Sequence, residues 1–278
     1  PTPYFFSARV FSQIDLVSIE LQKVYRQTDS VFVSVLDHIR TNTAGAADLQ
    51  LLNTRYGSHI EESEADMYIT LATRRDTVDS INEKKLAELA GEPITFEGSI
   101  EGDFPESSLP TSQELVLKPG AQIIFIKNDF DRRWVNGTIG VIAGIDEEEE
   151  TIYVITDDGK ECDVKRESWR NIRYRYNEKT KEIEEEVLGS FTQYPIRLAW
   201  AITVHKSQGL TFSRVVIDFT GGVFAGGQAY VALSRCTSLD GIQLKKPINR
   251  ADIFVRPEIV NFAGRFNDRQ AIDKALKQ

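Results

Sequence analysis

Between Ala199 and Phe212 an apolar run, Ala199-Trp200-Ala201-Ile202-Thr203-Val204, breaks into His205-Lys206-Ser207-Gln208-Gly209, and apolar character returns at Val215-Val216-Ile217-Asp218-Phe219. A buried strand or helix has no use for five polar or flexible residues in its middle. A turn that must approach a phosphate does. Gly209 lets the backbone come close, while Lys206 and Ser207 offer a charge and a hydroxyl. Such a turn needs a rigid frame on either side. Strands are predicted at Leu198–Thr203 and Val215–Phe219, a helix over Gln228–Arg235 and a last strand near Gly241–Lys245.

Upstream, Asp15–Leu21 reads as a short strand leading into a helix with Val31, Val35, Leu36 and Ile39 at helical spacing. Tyr68–Ala72 alternates and enters Thr73-Arg74-Arg75-Asp76, and a helix through Val78, Ile81, Asn82, Leu86 and Leu89 is ended by Gly91 and Pro93. Strands near Ile94–Phe96 and over Ala121–Lys127 flank a loop around Phe104–Pro110. From Trp134 the pattern becomes short strands and tight turns: Gly137–Ile145, Thr151–Thr156, Glu161–Lys165 and Ile172–Tyr176. Residues 256–278 are predicted to form an amphipathic helix.

The 278 residues can bury one large core or two modest ones, and 41% hydrophobic with 27% charged is globular composition. No apolar run approaches the ~20 residues of a membrane span. Cys162 and Cys236 stand far apart, and His38, His59 and His205 have no ligand spacing, so zinc and disulfide frameworks are poor fits and no metal site is expected. A reducing cytoplasmic setting, bacterial by expectation, fits this cysteine usage. The net charge of −9 opposes a nucleic-acid partner, but residues 130–190 hold sixteen acids against ten bases, leaving the remainder near neutral. The opening Pro1-Thr2-Pro3-Tyr4-Phe5-Phe6 looks like the middle of a protein. Nowhere does G-x-x-x-x-G-K-[ST] occur; the only Gly-Lys pair, Gly159-Lys160, precedes Glu161 in a charged turn.

Ala199–Phe212, followed twenty-one residues after Gly209 by Tyr230-Val231-Ala232-Leu233-Ser234-Arg235, resembles the last two motifs of superfamily 1 DNA helicases of the Pif-like and RecD-like branch. The resemblance covers nearly the whole chain. It implies an α/β fold: a second RecA-like parallel-sheet domain (1–129 and 191–255), a small all-β SH3-like barrel inserted at 130–190, and a helical extension at 256–278. It also implies ATP and Mg²⁺ in the intact protein, a missing N-terminal RecA-like domain carrying the P-loop, single-stranded DNA as partner, 5′→3′ movement and a monomer.

Residue roles follow the motifs. Lys23-Val24-Tyr25-Arg26-Gln27 resembles a strand end facing the nucleotide, with Tyr25 there either to stack on a base or to pack the strand end and Arg26 suited to phosphate by its planar fork. A surface strand–helix junction explains the same residues. Arg235 resembles the finger arginine that stabilises charge on the γ-phosphate; capping a helix C-terminus is its plain alternative. Gly209, Gln208 and Gln228, the last behind Gly226-Gly227, are placed on the nucleotide side. Thr203, His205, Lys206 and Ser207 are assigned to the DNA backbone, although a histidine here is commonly a packed residue. Thr73 and Arg74 (or Arg75) are assigned to strand phosphates and Asn82 to a phosphate or base edge, against a simple N-cap and solvated helix face. Trp134 is offered as a base-stacking ring; Trp169, Tyr174 and Tyr176 suit barrel core equally well. The Glu-rich stretches are taken as solvated loops. A non-enzymatic DNA- or protein-binding module derived from a helicase is the competing function.

Overall fold

Two kinds of sheet divide the chain, one parallel and covered on both faces, the other antiparallel and extended into a long hairpin. The computed structural model describes residues 2–14, 16–21, 23–58 and 67–276, so His59, Asp15 and Gln22 lie outside the described residues. In chain order come helices α1 (Ser30–Arg40) and α2 (Ala46–Asn53), strand β1 (Ile69–Ala72) and helix α3 (Arg75–Glu88). Strands β2 (Ile94–Glu97), β3 (Ser99–Gly102), β4 (Glu114–Leu117), β5 (Gln122–Phe125), β6 (Ile139–Asp146), β7 (Thr151–Thr156) and β8 (Glu161–Val164) follow. Then come β9 (Glu167–Asn177), β10 (Glu182–Gln193), β11 (Ile196–Leu198), β12 (Ala201–Thr203) and β13 (Val215–Asp218). The last elements are α4 (Gln228–Leu233), β14 (Ile242–Leu244), α5 (Pro257–Ala263) and α6 (Arg269–Leu276).

The parallel sheet runs β12-β1-β13-β14, with Thr70 opposite Ala201 on one side and Val216 on the other. Its odd positions Ile69, Leu71, Val215 and Ile217 pack with Phe32, Val35, Leu36 and Ile39 of α1, Leu52 of α2 and Leu233 of α4. On the opposite face Ala72 and Ala201 meet Val78 and Ile81 of α3. All four residues of β1 are therefore buried, as parallel strands covered on both faces require. The stripe of α1 repeats at helical spacing, and its start is fixed by Asp29, whose carboxylate accepts from the Val31 amide at 2.9 Å.

The antiparallel part comprises a five-stranded sheet β11-β5-β6-β7-β8, a β2–β4 pair and a three-stranded sheet β3-β10-β9. Phe96, Leu117, Phe125, Trp134, Ile142 and Tyr194 share one core beneath it. It draws strands from Ile94 to Leu198, wider than the predicted 130–190 segment, because β2 to β5 and β11 complete its sheets. The β9–β10 hairpin pairs Trp169 with Phe191 at its base and Tyr176 with Ile183 near its tip. A bulge between Val187 and Gly189 marks where β3 joins. There a Cβ on Gly189 would sit 2.6 Å from the Asp103 backbone, so only glycine admits the third strand.

Four expectations change. Glu182–Glu186, taken as a solvated loop, opens β10, with Glu186 paired to Arg175 at 2.9 Å across the ribbon. Leu198–Thr203 is not one strand: Leu198 closes β11 in one sheet, and Ala201 opens β12 in the other. Residues 16–21 join no ladder. The C-terminal stretch is two short helices, and Phe262 of α5 gathers Phe5, Phe6, Phe11 and Phe266, with the Phe6 centroid at 4.3 Å.

That ring cluster ties the N-terminal turns to α5 with little other burial, so Phe262→Ala should free residues 5–11 without unfolding the sheets. Aromatic pairs contribute about 0.5–1.5 kcal/mol each. Limited proteolysis should cut the N-terminal segment several-fold faster while the main thermal transition stays in place; unchanged protection would show that the cluster is not what holds the segment.

Candidate functional site: two arginines and a basic turn

Arg26 and Arg235 meet around Ser234. Arg26 Nε donates to Thr211 Oγ1 at 2.8 Å and its Nη1 to the Ser234 carbonyl at 3.1 Å. Arg235 Nε donates to the Val231 carbonyl at 2.9 Å, Nη1 to that of Leu210 at 3.2 Å and Nη2 to Ser234 Oγ at 2.8 Å. Among the described residues no carboxylate pairs with either guanidinium, although only 8% of Arg235 is exposed. Burial, and then the charge of Arg26, push the Arg235 pKa below its ordinary value. Gln27, absent from the sequence-based set, completes the knot: its Nε2 donates to the carbonyls of Ser234 and Cys236 at 3.0 and 2.8 Å. Its place beside Arg26 was the available signal.

The turn after β12 carries its glycine directly before Leu210 and Thr211, which accept from Arg235 and Arg26. Gly209 has φ +84°, a left-handed conformation that favours glycine, and a Cβ there would meet no atom within 4 Å. The requirement is one of backbone shape, and the face is open. Gln208 is exposed beside it. Tyr25 is 80% exposed, with Lys23 Nζ 4.7 Å from its ring centroid, so it packs no strand end. Gln228 stands at the other end of α4, roughly 10 Å from Arg235 along the axis. Its Oε1 accepts from the Phe224 amide at 3.2 Å and holds the preceding loop.

The residues assigned to nucleic acid separate into outward and inward groups. His205 and Lys206 are exposed at the turn, and Lys206 N donates to Thr203 Oγ1 at 3.2 Å. Lys206 is pushed down in pKa by Arg197, by burial and by Arg75. Thr73 Oγ1 is buried without a hydrogen-bond partner, at the wall of an open cleft of about 500 Å³ shared with Arg74, Arg75, Gly221 and Phe224. Arg74 lies along that cleft with its Nε donating to the Gly221 carbonyl at 3.0 Å.

Three assignments are corrected by burial. Ser207 is fully buried and its hydroxyl donates to the Val204 carbonyl at 2.7 Å, so it shapes the turn and offers nothing outward. Asn82 is spent on β12, its Nδ2 donating to the Ala201 carbonyl at 3.0 Å and its Oδ1 accepting from the Ala201 amide at 2.9 Å. This amide acts as one more rung on the sheet edge. Trp134 is 5% exposed, stacked on Phe125 at 4.3 Å with the Arg133 guanidinium over its ring at 4.6 Å, so no face is free for a base. Of the other aromatics, Tyr174 and Tyr176 are exposed on the hairpin, while Trp169 stacks against Phe191.

Among the described residues, no cluster of three metal-ligating side chains occurs and no helix is long and apolar enough to cross a membrane. No family model matches the chain. It is 31% identical over 254 residues to an ATP-dependent DNA helicase Pif1 of Bdellovibrio bacteriovorus, covering 90% of this chain and 54% of that protein. To the human ATP-dependent DNA helicase PIF1 it is 34% identical over 250 residues, covering 88% and 37%. The chain thus spans about half or less of the curated relatives it matches. Among solved structures, Bacteroides Pif1 in complex with ADP-AlF4 superposes with a TM-score of 0.83 at 35% identity, covering 96% of this chain and 61% of that one. Bacteroides Pif1 bound to ssDNA gives 0.69 at the same identity and coverage.

Replacing Asn82 by Ala should leave the Ala201 amide and carbonyl unpaired at the edge of a buried sheet. Losing one partner of a buried hydrogen bond costs about 1–3 kcal/mol. A denaturant melt should show a loss within that range, with the salt dependence of any oligonucleotide binding unaltered. A changed salt slope at full stability would return Asn82 to the phosphate contacts.

Proposed function

The chain is homologous to Pif1 helicases across about nine-tenths of its length, and on that premise we propose that it is the C-terminal motor half of an ATP-dependent DNA helicase. In this reading the first RecA-like domain, with its P-loop and Mg²⁺, closes over the Arg26–Arg235 face, and ATP binds between. The observation that carries it is the pair of arginines gathered at an open glycine turn with, among the described residues, no acid paired to them. A pure binding module has no need of such a pair, which is the ground for preferring the motor over a derived, non-enzymatic platform.

The chemistry follows from the donors. Each guanidinium now rests on neutral acceptors, carbonyls and hydroxyls of its own chain. A γ-phosphate oxygen is a stronger acceptor because charge-assisted bonds are about twice as strong as neutral ones, so an arriving triphosphate can draw the forks away. Positive charge already desolvated by burial is stabilised most where negative charge develops, in the transition state of phosphoryl transfer. Gly209 lets the turn follow, and the same turn carries His205 and Lys206 toward a single DNA strand on its other side. Closure at the nucleotide thereby moves the DNA contacts, and the family implies 5′→3′ stepping. Thr73, Arg74 and Thr203 line the strand-side path. The SH3-like reading is supported by the strand order of the five-stranded sheet, in which its last strand in sequence, β11, returns to pair with its first, β5.

Two outcomes are expected. Lacking a G-x-x-x-x-G-K-[ST] sequence, residues 1–278 alone should hydrolyse no ATP, with or without DNA. In a protein carrying both halves, Arg235→Ala should lower DNA-stimulated kcat by about 10²-fold or more while changing nucleotide affinity modestly, the signature of a contact made in the transition state. Arg235→Lys should rescue poorly, since an ammonium lacks the planar fork. Near-normal kcat in a well-folded Arg235→Ala protein would leave Arg235 as a helix cap.

A further inference from the structure

Arg197 belongs to no motif, yet it stands in the least comfortable position of any cation described. Its neighbours in β11, Ile196 and Leu198, face the antiparallel core, and strand alternation turns Arg197 the other way, out of that core. Its Nε is buried and has no hydrogen-bond partner. Burial lowers its pKa and the charge of Arg75 lowers it further. Arg197 is in turn the largest influence depressing Lys206, with Arg75 acting there too. Arg75 has one weak anionic neighbour, Asp79 at 3.5 Å, and its side chain is 89% exposed. Among the described residues neither Arg197 nor Lys206 has any ion pair.

The frame brings three cations to one end of the sheet: Ala72 pairs with Thr203 and its carbonyl accepts from the Val204 amide at 2.9 Å, so the turn carrying Lys206 and the α3 start carrying Arg75 leave neighbouring strand ends, while β11 with Arg197 enters β12 through two residues. Thr73, two residues before Arg75, adds a buried hydroxyl without a partner. Like charges gathered with an unsatisfied buried donor cost stability, and binding an anion there would offset that cost.

We propose that Arg197, Lys206 and Arg75 form one phosphate seat for the backbone of a single DNA strand, built jointly by the two modules. The proposal rests on the strand-binding reading of the turn and adds to it the residue that links the antiparallel module to the strand. Arg197 supplies a planar fork suited to two phosphate oxygens, Lys206 a point charge from the turn, and Arg75 an exposed cation beside a helix start. A phosphodiester is favoured over a free nucleotide because, among the described residues, the three cations share no hydrogen-bond acceptor with the arginine pair, which rests on Leu210, Thr211, Val231 and Ser234. An isolated seat of this kind does not discriminate between bases.

The test compares wild type, Arg197→Gln and, as a control for lost charge, Lys84→Gln on the outer surface of α3. Thermal melts are recorded in sodium chloride and in inorganic pyrophosphate at matched ionic strength. Binding of a labelled oligo-dT strand is followed by anisotropy over a salt series, with ATP as a competitor. Pyrophosphate should raise the Tm of wild type and of Lys84→Gln but not that of Arg197→Gln. Without the anion Arg197→Gln should melt about 2 °C above wild type, because a repelled and buried charge has gone. It should bind oligo-dT roughly tenfold more weakly, with the log–log salt slope flattened by about 0.7, one phosphate's share on a single strand. ATP should not displace the strand. Wild-type affinity and slope in Arg197→Gln, or a lowered Tm in chloride, would overturn the seat. Arg197-dependent stabilisation by pyrophosphate in a chain that binds no oligo-dT would instead overturn the strand-binding reading and leave an anion site standing.

Discussion

Two guanidinium groups are held together around Ser234 with no acid among the described residues paired to either, and much of the parallel-sheet domain is arranged to make this possible. Repulsion between like charges at close range must be met by hydrogen bonds that leave neither arginine a choice of rotamer. The acceptors come from three places in the sequence: the turn at Leu210 and Thr211, the last turn of α4 at Val231, and Ser234 itself. Gln27 binds the carbonyls on either side of Arg235 and fixes the incoming segment to the end of α4. Remove the sheet that aligns β12 with β13 and these acceptors no longer converge. The site is therefore a property of the fold's connectivity, and the local sequence supplies only the donors.

The turn after β12 shows the same division of labour on a smaller scale. Five polar or flexible residues interrupt an apolar run, but they do not all face out. Ser207 turns inward and binds Val204, Thr203 receives the Lys206 amide, and Gly209 supplies the left-handed step. What is left outside is His205, Lys206 and Gln208. Polar residues in a functional turn thus serve two masters, the shape of the loop and whatever meets it, and the inward ones are as necessary as those that make contact.

This explains why some of the molecule was legible in the sequence and some was not. The periodicity of α1, the strand before Thr73 and the interruption after Thr203 are local signals, and each element formed close to its expected place. Arg26 and Arg235 were visible as residues in motifs, and their convergence followed from the frame. Asn82 was misjudged because its partner, Ala201, is 119 residues away, and nothing beside it announces a strand edge. Trp134 followed a charged run and preceded a turn, yet Phe125 and Arg133 enclose it. Glu182–Glu186 carried no strand-like composition; its pairing with a basic stretch of β9 decided the matter. Arg197 had no signal at all, because its setting exists only once two sheets are brought side by side.

Those sheets are joined at Ala199 and Trp200, two residues that connect β11 of one to β12 of the other. Around them Gln122 donates to the carbonyls of Tyr68 and Ala199 at 2.9 and 2.7 Å, Ala199 returns a bond to the Gln122 carbonyl, and Thr70 donates to that of Trp200. A flexible connector of n residues wanders by about 5–6 Å times the square root of n, and whatever it joins turns independently. A bolted two-residue joint has no such play. Bonded on both sides, it fixes the edge of one sheet to the edge of the other, so that the orientation of β11 is set by that of β12 as a hinge leaf is set by its pin.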